Sequence, residues 1–162
     1  MGISRMSRWR IALVMAGVAV MAMTGSALAG TPQAVTIVSH VTFNPDGPNY
    51  GDFQATGAAV RSGAMCASGT FVDTGLRFAG FQSNRGVVQV QVIKSFTCDD
   101  ESGSFTVKMQ IQANFDTGFE SFTWVGLGGT GAYQGFKASG TGSTVPNRPI
   151  GNINTFVGFV VA

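Results

Sequence analysis

The strongest constraint on the fold is a strict alternation of apolar and polar residues between Phe105 and Phe115. Successive side chains of a β-strand point to opposite faces, so this pattern predicts a strand with one buried face and one face in water. Residues 99–103 are polar and end in glycine, which predicts a hairpin to the preceding strand. The predicted inward side chains are Phe105, Val107, Met109, Ile111, Ala113 and Phe115.

Similar strand-like segments run through the rest of the chain after residue 34. Turn residues separate them, most clearly the asparagine-, proline- and glycine-rich stretch 44–49. The spacing predicts about eight strands in an antiparallel sandwich or barrel, and no segment after residue 29 shows a helical period. The predicted segments are 35–43, 53–60, 64–73, 77–82, 87–97, 105–115, 119–127, 136–145 and 153–161.

Two further features of these segments bear on how the sheet closes. Gly57, Gly140, Gly142 and Gly158 lie within predicted strands, where they suggest the bends or bulges that closing a barrel requires. The last segment, 153–161, is apolar on both of its faces. We therefore expect this strand to be covered on both sides.

The first 29 residues have a different character from the rest of the chain. A short stretch with Arg5, Arg8 and Arg10 precedes an uncharged segment, 11–29, that ends in Ala-Leu-Ala. This order of a basic region, an apolar region and small residues is typical of a secretory signal peptide, which is helical and is removed here after Ala29. What remains, 30–162, is the size of one domain.

An uncleaved membrane anchor is the alternative for the same N-terminal segment. The 19 uncharged residues from position 11 to position 29 are just enough to span a bilayer. Gly25 and Ser26, however, weaken a helix where a cleavage site needs extended chain. We therefore predict export to the periplasm, the cell-wall space or the exterior, with membrane contact only through the signal peptide during export.

Export bears on Cys66 and Cys98, the two cysteines of the chain. An even count in an oxidising compartment predicts one disulfide, which would stabilise the fold by about 3–4 kcal/mol in the chain-entropy model. A metal-binding or reactive pair is the alternative. It lacks a Cys-x-x-Cys spacing, and the single histidine cannot complete a zinc site alone.

The charge of the chain limits its partners. The formal net charge is +2, but three of the ten basic residues lie before Ala29, and the rest of the chain carries seven basic and eight acidic residues. A nearly neutral domain without a basic cluster is not expected to bind nucleic acid through its phosphates.

One segment carries a resemblance to a known family. Residues 124–140 read Trp-Val-Gly-Leu-Gly-Gly-Thr-Gly-Ala-Tyr-Gln-Gly-Phe-Lys-Ala-Ser-Gly. This resembles the allene oxide cyclase and dirigent protein superfamily, in which a strand ends in Gly-Gly-Thr-Gly, an aromatic residue follows and a glycine-containing strand leaves. Segments 71–74 and 95–100 also resemble exported bacterial proteins with this barrel and no assigned activity. The motif residues are Gly128, Gly129, Thr130, Gly131 and Tyr133.

The resemblance implies an eight-stranded antiparallel barrel with an apolar cavity, often in a homo-oligomer. Its glycines would permit a sharp turn with positive φ, and its aromatic residue would plug one barrel end. Plant members of the family cyclise a fatty-acid epoxide or steer the coupling of phenoxy radicals. Their catalytic groups have no residue-by-residue match here, and the first predicted strand has no acidic residue. The fold is therefore expected to carry over, and the activity is not.

Few residues offer chemistry of their own. The Gly-x-Gly-x-x-Gly pattern that begins at Gly126 lacks the helix that a dinucleotide site needs. The acidic run 99–101 lacks the ligand spacing of a calcium loop. His40 and Tyr133 are the catalytic candidates, and Ser39 should point away from its neighbour His40. We expect no metal and no cofactor.

These observations predict an exported barrel that binds a small apolar or amphipathic ligand without covalent chemistry. Two alternatives stay open. One is a cofactor-independent isomerase or lyase similar to allene oxide cyclase, and the other is a filled barrel that acts through its surface, since small barrels are either filled or hollow. The predicted cavity residues are Phe105, Met109, Ile111, Phe115 and Trp124.

Overall fold

A computed structural model describes residues 30–82, 86–114, 119–147 and 149–161. Eight strands form a closed antiparallel barrel in sequence order, and the last strand pairs with the first. The predicted all-β class and the eight-stranded barrel are thereby confirmed, whereas the predicted signal peptide lies outside the described residues. The strands are β1 (Pro32–Thr42), β2 (Tyr50–Gly57), β3 (Ser68–Gln82), β4 (Val87–Cys98), β5 (Ser104–Asn114), β6 (Phe119–Gly129), β7 (Lys137–Pro146) and β8 (Asn152–Val161).

The alternation in β5 has the predicted orientation. Phe105, Val107 and Met109 are fully buried inside the barrel, whereas Gln110 and Gln112 face outward and are exposed. Burial of every second side chain sets the register, because a slip by one residue would turn the whole apolar set to the outside.

The third strand differs from the prediction. Residues 68–73 of the segment predicted at 64–73 and the whole segment predicted at 77–82 belong to one strand, β3, which spans 15 residues, whereas residues 64–67 precede this strand. Its pairing with β4 shifts register between Asp73 and Gly75 and again between Phe78 and Gly80. Each β-bulge adds an unpaired residue and interrupts the alternation, so the sequence pattern around the first bulge resembles the end of a strand.

The second strand is shorter than predicted. It ends at Gly57, whose φ of 118° is a conformation that favours glycine, and the chain continues into a single helical turn, α1 (Ala58–Arg61). Ala59 in this turn is completely buried beneath the barrel. The prediction that no helical segment follows residue 29 is therefore wrong for these four residues.

One end of the barrel is closed. The turn α1, the 99–103 hairpin and a 3₁₀ turn at Gly131–Tyr133 all lie there. Cys66, which follows α1, forms the predicted disulfide with Cys98 at the end of β4, with a Cα–Cα distance of 6.0 Å. The disulfide thereby holds the segment that follows α1 against the closed end.

Aromatic side chains fill the barrel above this closed end. The rings of Phe96 and Phe105 stack at a centroid distance of 4.8 Å, and Phe53 packs edge-on against both of them. Tyr133 and Phe136 cover Phe105 from the closed end, with centroid distances of 5.6 and 4.8 Å. This half of the interior is an ordinary packed core.

The inward-facing glycines of β7 and β8 make room for a large side chain. Gly140 and Gly158 lie opposite each other in a register without shifts. A Cβ atom built on either one would lie 2.7 Å from the indole of Trp124. The predicted role of these two glycines in a bulge is therefore wrong, since the large indole takes the space that their side chains would occupy.

The outer face of β8 is not covered. Val157 and Phe159 are 53% and 54% exposed. The prediction that both sides of this strand are covered does not hold for the single chain, because the described part of the barrel has no second layer of elements outside this strand.

Candidate ligand-binding cavity

The end of the barrel opposite the disulfide is open. Residues 43–49, between β1 and β2, and residues 149–151, which precede β8, border this mouth. A cavity of about 180 Å³ extends inward from it. The aromatic rings of the packed core lie toward the opposite, closed end of the barrel. Its apolar lining consists of Val41, Phe43, Val90, Val92, Ile111 and Ala113.

A buried ion pair lies on one wall of the cavity. Lys94 occupies an inward position of β4, and its Nζ lies 2.6 Å from Oδ1 of Asp73 on β3. The same ammonium lies 4.3 Å from the centre of the Phe71 ring, which is a cation–π distance. The carboxylate and the ring together compensate the charge of Lys94.

The loop at the mouth holds Asp73 in place. The side-chain amide of Asn49 donates to Oδ2 of Asp73 over 3.2 Å, and the backbone N–H of Asp73 donates to the carbonyl of Asn49 over 2.8 Å. The backbone N–H of Asn44 donates in turn to Oδ1 of Asn49. Both carboxylate oxygens of Asp73 therefore have a partner.

The environment of Lys94 changes its acidity. Burial lowers the pKa of this ammonium below its ordinary value, because a charged group loses its hydration inside the barrel. The charge of Asp73 and its hydrogen bond raise the pKa again, to a smaller extent. Lys94 thus gives up its proton more readily than a surface lysine.

The part of the wall formed by β6, β7 and β8 carries uncharged polar groups and one carboxylate. Thr144 Oγ1 donates to Oδ1 of Asn154 over 3.0 Å, and both residues are buried. Asn152, one inward position nearer the mouth, has a buried Oδ1 atom without a hydrogen-bond partner among the described residues. Glu120 on β6 also lines the cavity. Deeper in the barrel, the buried hydroxyl of Ser39 has no partner in the described chain either.

A larger depression of about 390 Å³ lies on the outside of the barrel, across β4 to β7. Its floor is the sheet backbone, and its outward side chains are uncharged amides and hydroxyls. These side chains belong to Gln89, Gln91, Gln110, Gln112, Ser121, Thr123 and Thr141. Because no ionisable group lines this surface, the interior cavity remains the better candidate site.

The two catalytic candidates predicted from the sequence, His40 and Tyr133, do not line the cavity. His40 points outward from β1, where its Nδ1 lies 3.0 Å from Oδ2 of Asp52, and both side chains are largely exposed. Tyr133 lies at the closed end with its hydroxyl 3.1 Å from Oγ of Ser102. The inward neighbour of His40 is Ser39, as strand alternation requires.

Of the predicted cavity residues, Ile111 lines the cavity. Phe105, Met109 and Trp124 are buried in the packed part of the interior, and Phe115 lies outside the described residues. The structure therefore brings together a set of residues that the sequence patterns do not select as a site.

The missed residues are Lys94, Asp73 and Glu120. The sequence does carry a signal for Lys94, since it is the one charged residue on the inward face of β4, between Val92 and Phe96. Asp73 carries a similar signal, because it lies two residues after the buried Phe71 and the register shift of β3 comes only after it.

The glycine-rich motif forms the turn that closes the barrel. Gly128 and Gly131 have φ angles of 104° and 57°, and a Cβ atom on Gly129 would clash with the backbone of Ser104. Thr130 bonds to Ser104 through its hydroxyl, which ties this turn to the start of β5. A short 3₁₀ turn and β7 follow, so no helix presents its N-terminus to a phosphate at this motif.

Comparison with known proteins adds no assignment: no protein-family model matches the chain, and no curated protein matches it significantly. Within the described ranges, no helix has the length and apolar character needed to cross a membrane. Nor do any three His, Cys, Asp or Glu side chains of the described residues group as a metal site would require.

Proposed function

We propose that this protein is an exported binding module that holds a small amphipathic molecule in the open half of its barrel. The observation that carries the proposal is the division of the interior. Aromatic rings fill one half, whereas the other half contains a cavity of about 180 Å³. A barrel that served only as a rigid surface would gain stability from filling both halves.

The lining of the cavity supports an amphipathic ligand. Valine, isoleucine and alanine side chains offer apolar contact, whereas Lys94, Asn154 and Thr144 offer polar contact in the same space. Pockets for drug-sized ligands measure about 300–1,000 Å³, so this cavity suits a smaller molecule.

Blocking the cavity tests this proposal. In Ile111→Trp, the indole should fill the mouth and abolish binding of pentanol, while Val157→Trp on the outer face should leave binding unchanged. Binding is measured by calorimetric titration, and thermal unfolding shows that both variants are folded. Equal binding by the two variants would place the ligand elsewhere and contradict the proposal.

Export is part of the proposal and has its own support. The basic, apolar and small-residue regions of the first 29 residues match a signal peptide, and a disulfide is typical of oxidising compartments. The intact mass of the protein recovered from its host should correspond to a chain that starts at Gly30. A mass that includes residue 1 would contradict cleavage.

We also propose that the barrel belongs to the allene oxide cyclase-like class. The closed barrel of eight strands and the turn at Gly128–Tyr133, with its aromatic residue at the barrel end, support this assignment. A homo-oligomer is compatible with the half-exposed apolar side chains on the outer face of β8. Sedimentation of the purified protein counts the subunits directly.

A cofactor-independent isomerase or lyase is the second candidate. The observation that favours it is Lys94, a buried amine with a lowered pKa that lines the cavity beside a carboxylate. Replacing both members of the pair, in Lys94→Met with Asp73→Asn, should abolish turnover of any substrate while pentanol still binds. Retained turnover would exclude Lys94 as the catalytic group.

A further inference from the structure

We infer that the polar group of the ligand is a cation, namely a small alkylammonium that is held by the Glu120 carboxylate at the mouth of the cavity. This inference rests on the proposed function, because it names the chemistry of the ligand for the same cavity. Its basis is the difference between the polar groups of the cavity that are already satisfied and those that are not.

The charges of the cavity do not balance. The ammonium of Lys94 and the carboxylate of Asp73 compensate each other at 2.6 Å. The second carboxylate oxygen of Asp73 accepts from the amide of Asn49. Glu120 is a third charged side chain that lines the same space, and the described residues provide it with no ion pair and no side-chain hydrogen bond. Among the described residues that line the cavity, one negative charge is therefore left without a counter-charge.

A second acceptor near Glu120 also lacks a donor. The Oδ1 atom of Asn152 is buried and has no hydrogen-bond partner among the described residues. A buried acceptor without a donor is costly, and a donor from a ligand would remove that cost. The Glu120 carboxylate and Oδ1 of Asn152 are two hydrogen-bond acceptors in one cavity, so a ligand group with several donors fits them best. An ammonium has three N–H donors and no acceptor.

The strand register places these two acceptors on one wall. Glu120 pairs with Thr144 on β7, and Thr144 pairs with Asn154 on β8, two residues from Asn152. Adjacent strands are about 4.8 Å apart, so the backbones of β6 and β8 are separated by about 10 Å with β7 between them. An ammonium above Thr144 would thus lie between the two side chains.

The rest of the cavity fits the alkyl part of such a ligand. Val41, Val92 and Ile111 line the space below the mouth. Lys94 belongs to β4, which in the closed barrel lies four strands from Asn152 on β8 and two strands from Glu120 on β6. Its charge is compensated by Asp73 and by the face of Phe71, so it does not exclude a cation at Glu120.

Three probes of equal chain length test the inference: pentylamine, pentanol and pentanoate. Each probe is titrated calorimetrically at neutral pH into the protein as it is recovered from its host. We expect pentylammonium to bind about tenfold more tightly than pentanol, the ratio that corresponds to one added charge-assisted hydrogen bond. Pentanoate should bind most weakly, because its carboxylate would face Glu120.

The decisive variant is Glu120→Gln, which keeps the size of the side chain and removes its charge. It should bring the affinity for pentylammonium to within about twofold of that for pentanol, while the affinity for pentanol stays the same. Glu101→Gln, an exposed position at the closed end, makes the same change in net charge and should preserve the preference. Asn152→Leu is a second variant and should also reduce the preference for the amine.

The outcomes separate this inference from the proposed function. Equal or tighter binding of pentanol or pentanoate would overturn the cation as ligand and leave a binding module in place. An amine preference that survives in Glu120→Gln would also overturn the inference. If none of the three probes binds, both the inference and the proposed cavity function are overturned.

Discussion

The Nζ atom of Lys94 lies 2.6 Å from Oδ1 of Asp73 inside the barrel, where the two side chains are only 3% and 12% exposed. Each charge loses its hydration there and depends on the other, together with Asn49 and the ring of Phe71. A buried pair of this kind adds little compared with a well-packed apolar pair, but breaking it leaves an uncompensated charge. It is therefore the part of the cavity most sensitive to single substitutions.

The first prediction concerns this pair. Asp73→Asn should lower the free energy of unfolding by about 3–5 kcal/mol, because it leaves the ammonium of Lys94 buried without a counter-charge. Adding Lys94→Met should restore most of the loss, since no buried charge then remains in the pair. Urea denaturation of the two variants and the wild type measures both effects.

The exposed pair of His40 and Asp52 is the matched control for that experiment. Its atoms are 3.0 Å apart, but the side chains are 45% and 63% exposed. Asp52→Asn should change the free energy of unfolding by less than about 1 kcal/mol, because water screens an exposed pair. A loss for Asp73→Asn as small as that for Asp52→Asn would contradict the picture of a buried, mutually dependent pair.

The second prediction is a dependence of stability on alkaline pH. The unfolded chain releases the Lys94 proton near 10.5, whereas burial lowers the pKa of Lys94 in the folded protein. Between these two values the unfolded state binds more protons, so the free energy of unfolding rises with pH through this window. The wild type should therefore gain stability relative to the Lys94→Met, Asp73→Asn double variant until about pH 10.5.

This comparison is made by denaturation at a series of pH values from neutral upward. The difference between the two proteins isolates Lys94, because the other groups that titrate at alkaline pH are common to both. If the difference in the free energy of unfolding falls as pH rises, the pKa of Lys94 is raised in the folded protein. The effect of Asp73 on this pKa would then be larger than the effect of burial.

A third prediction concerns the contact between Trp124 and the paired glycines. Gly140→Ala should destabilise the fold by about 1–3 kcal/mol, because the new Cβ atom would meet both the indole and the carbonyl oxygen of Val157. Gly135→Ala is the control, since a Cβ atom there has no neighbour within 4 Å. Thermal unfolding of the two variants measures the contrast, and similar melting temperatures would contradict it.

The fourth prediction concerns the disulfide. Replacing Cys66 and Cys98 together by alanine should lower the free energy of unfolding by about 3–4 kcal/mol, because the bond closes a loop of 32 residues in the unfolded chain. Wild type treated with reductant should unfold like this variant. If reduction of the disulfide leaves the free energy of unfolding of the wild type unchanged, the bond does not stabilise the fold by restricting the unfolded chain.

Local patterns predict most of the strands. The alternation in β5 and the turn residues at 44–49 depend only on neighbours in the chain, because side-chain direction repeats every two residues in any strand. The same rule correctly assigns Ser39 and His40 to opposite faces of β1. A bulge defeats the rule, which is why the pattern divides β3 into two predicted strands.

By itself, the sequence determined the alternation of apolar and polar faces, the positions of the turns and the pairing of the only two cysteines. Only the tertiary structure decided which half of the interior is filled, and that Lys94 faces Asp73 while Glu120 faces open space. The reason is that closure joins β8 to β1 and brings strands distant in sequence to face each other across the axis. Which side chains meet there depends on the shear of the whole barrel, a property that no local pattern contains.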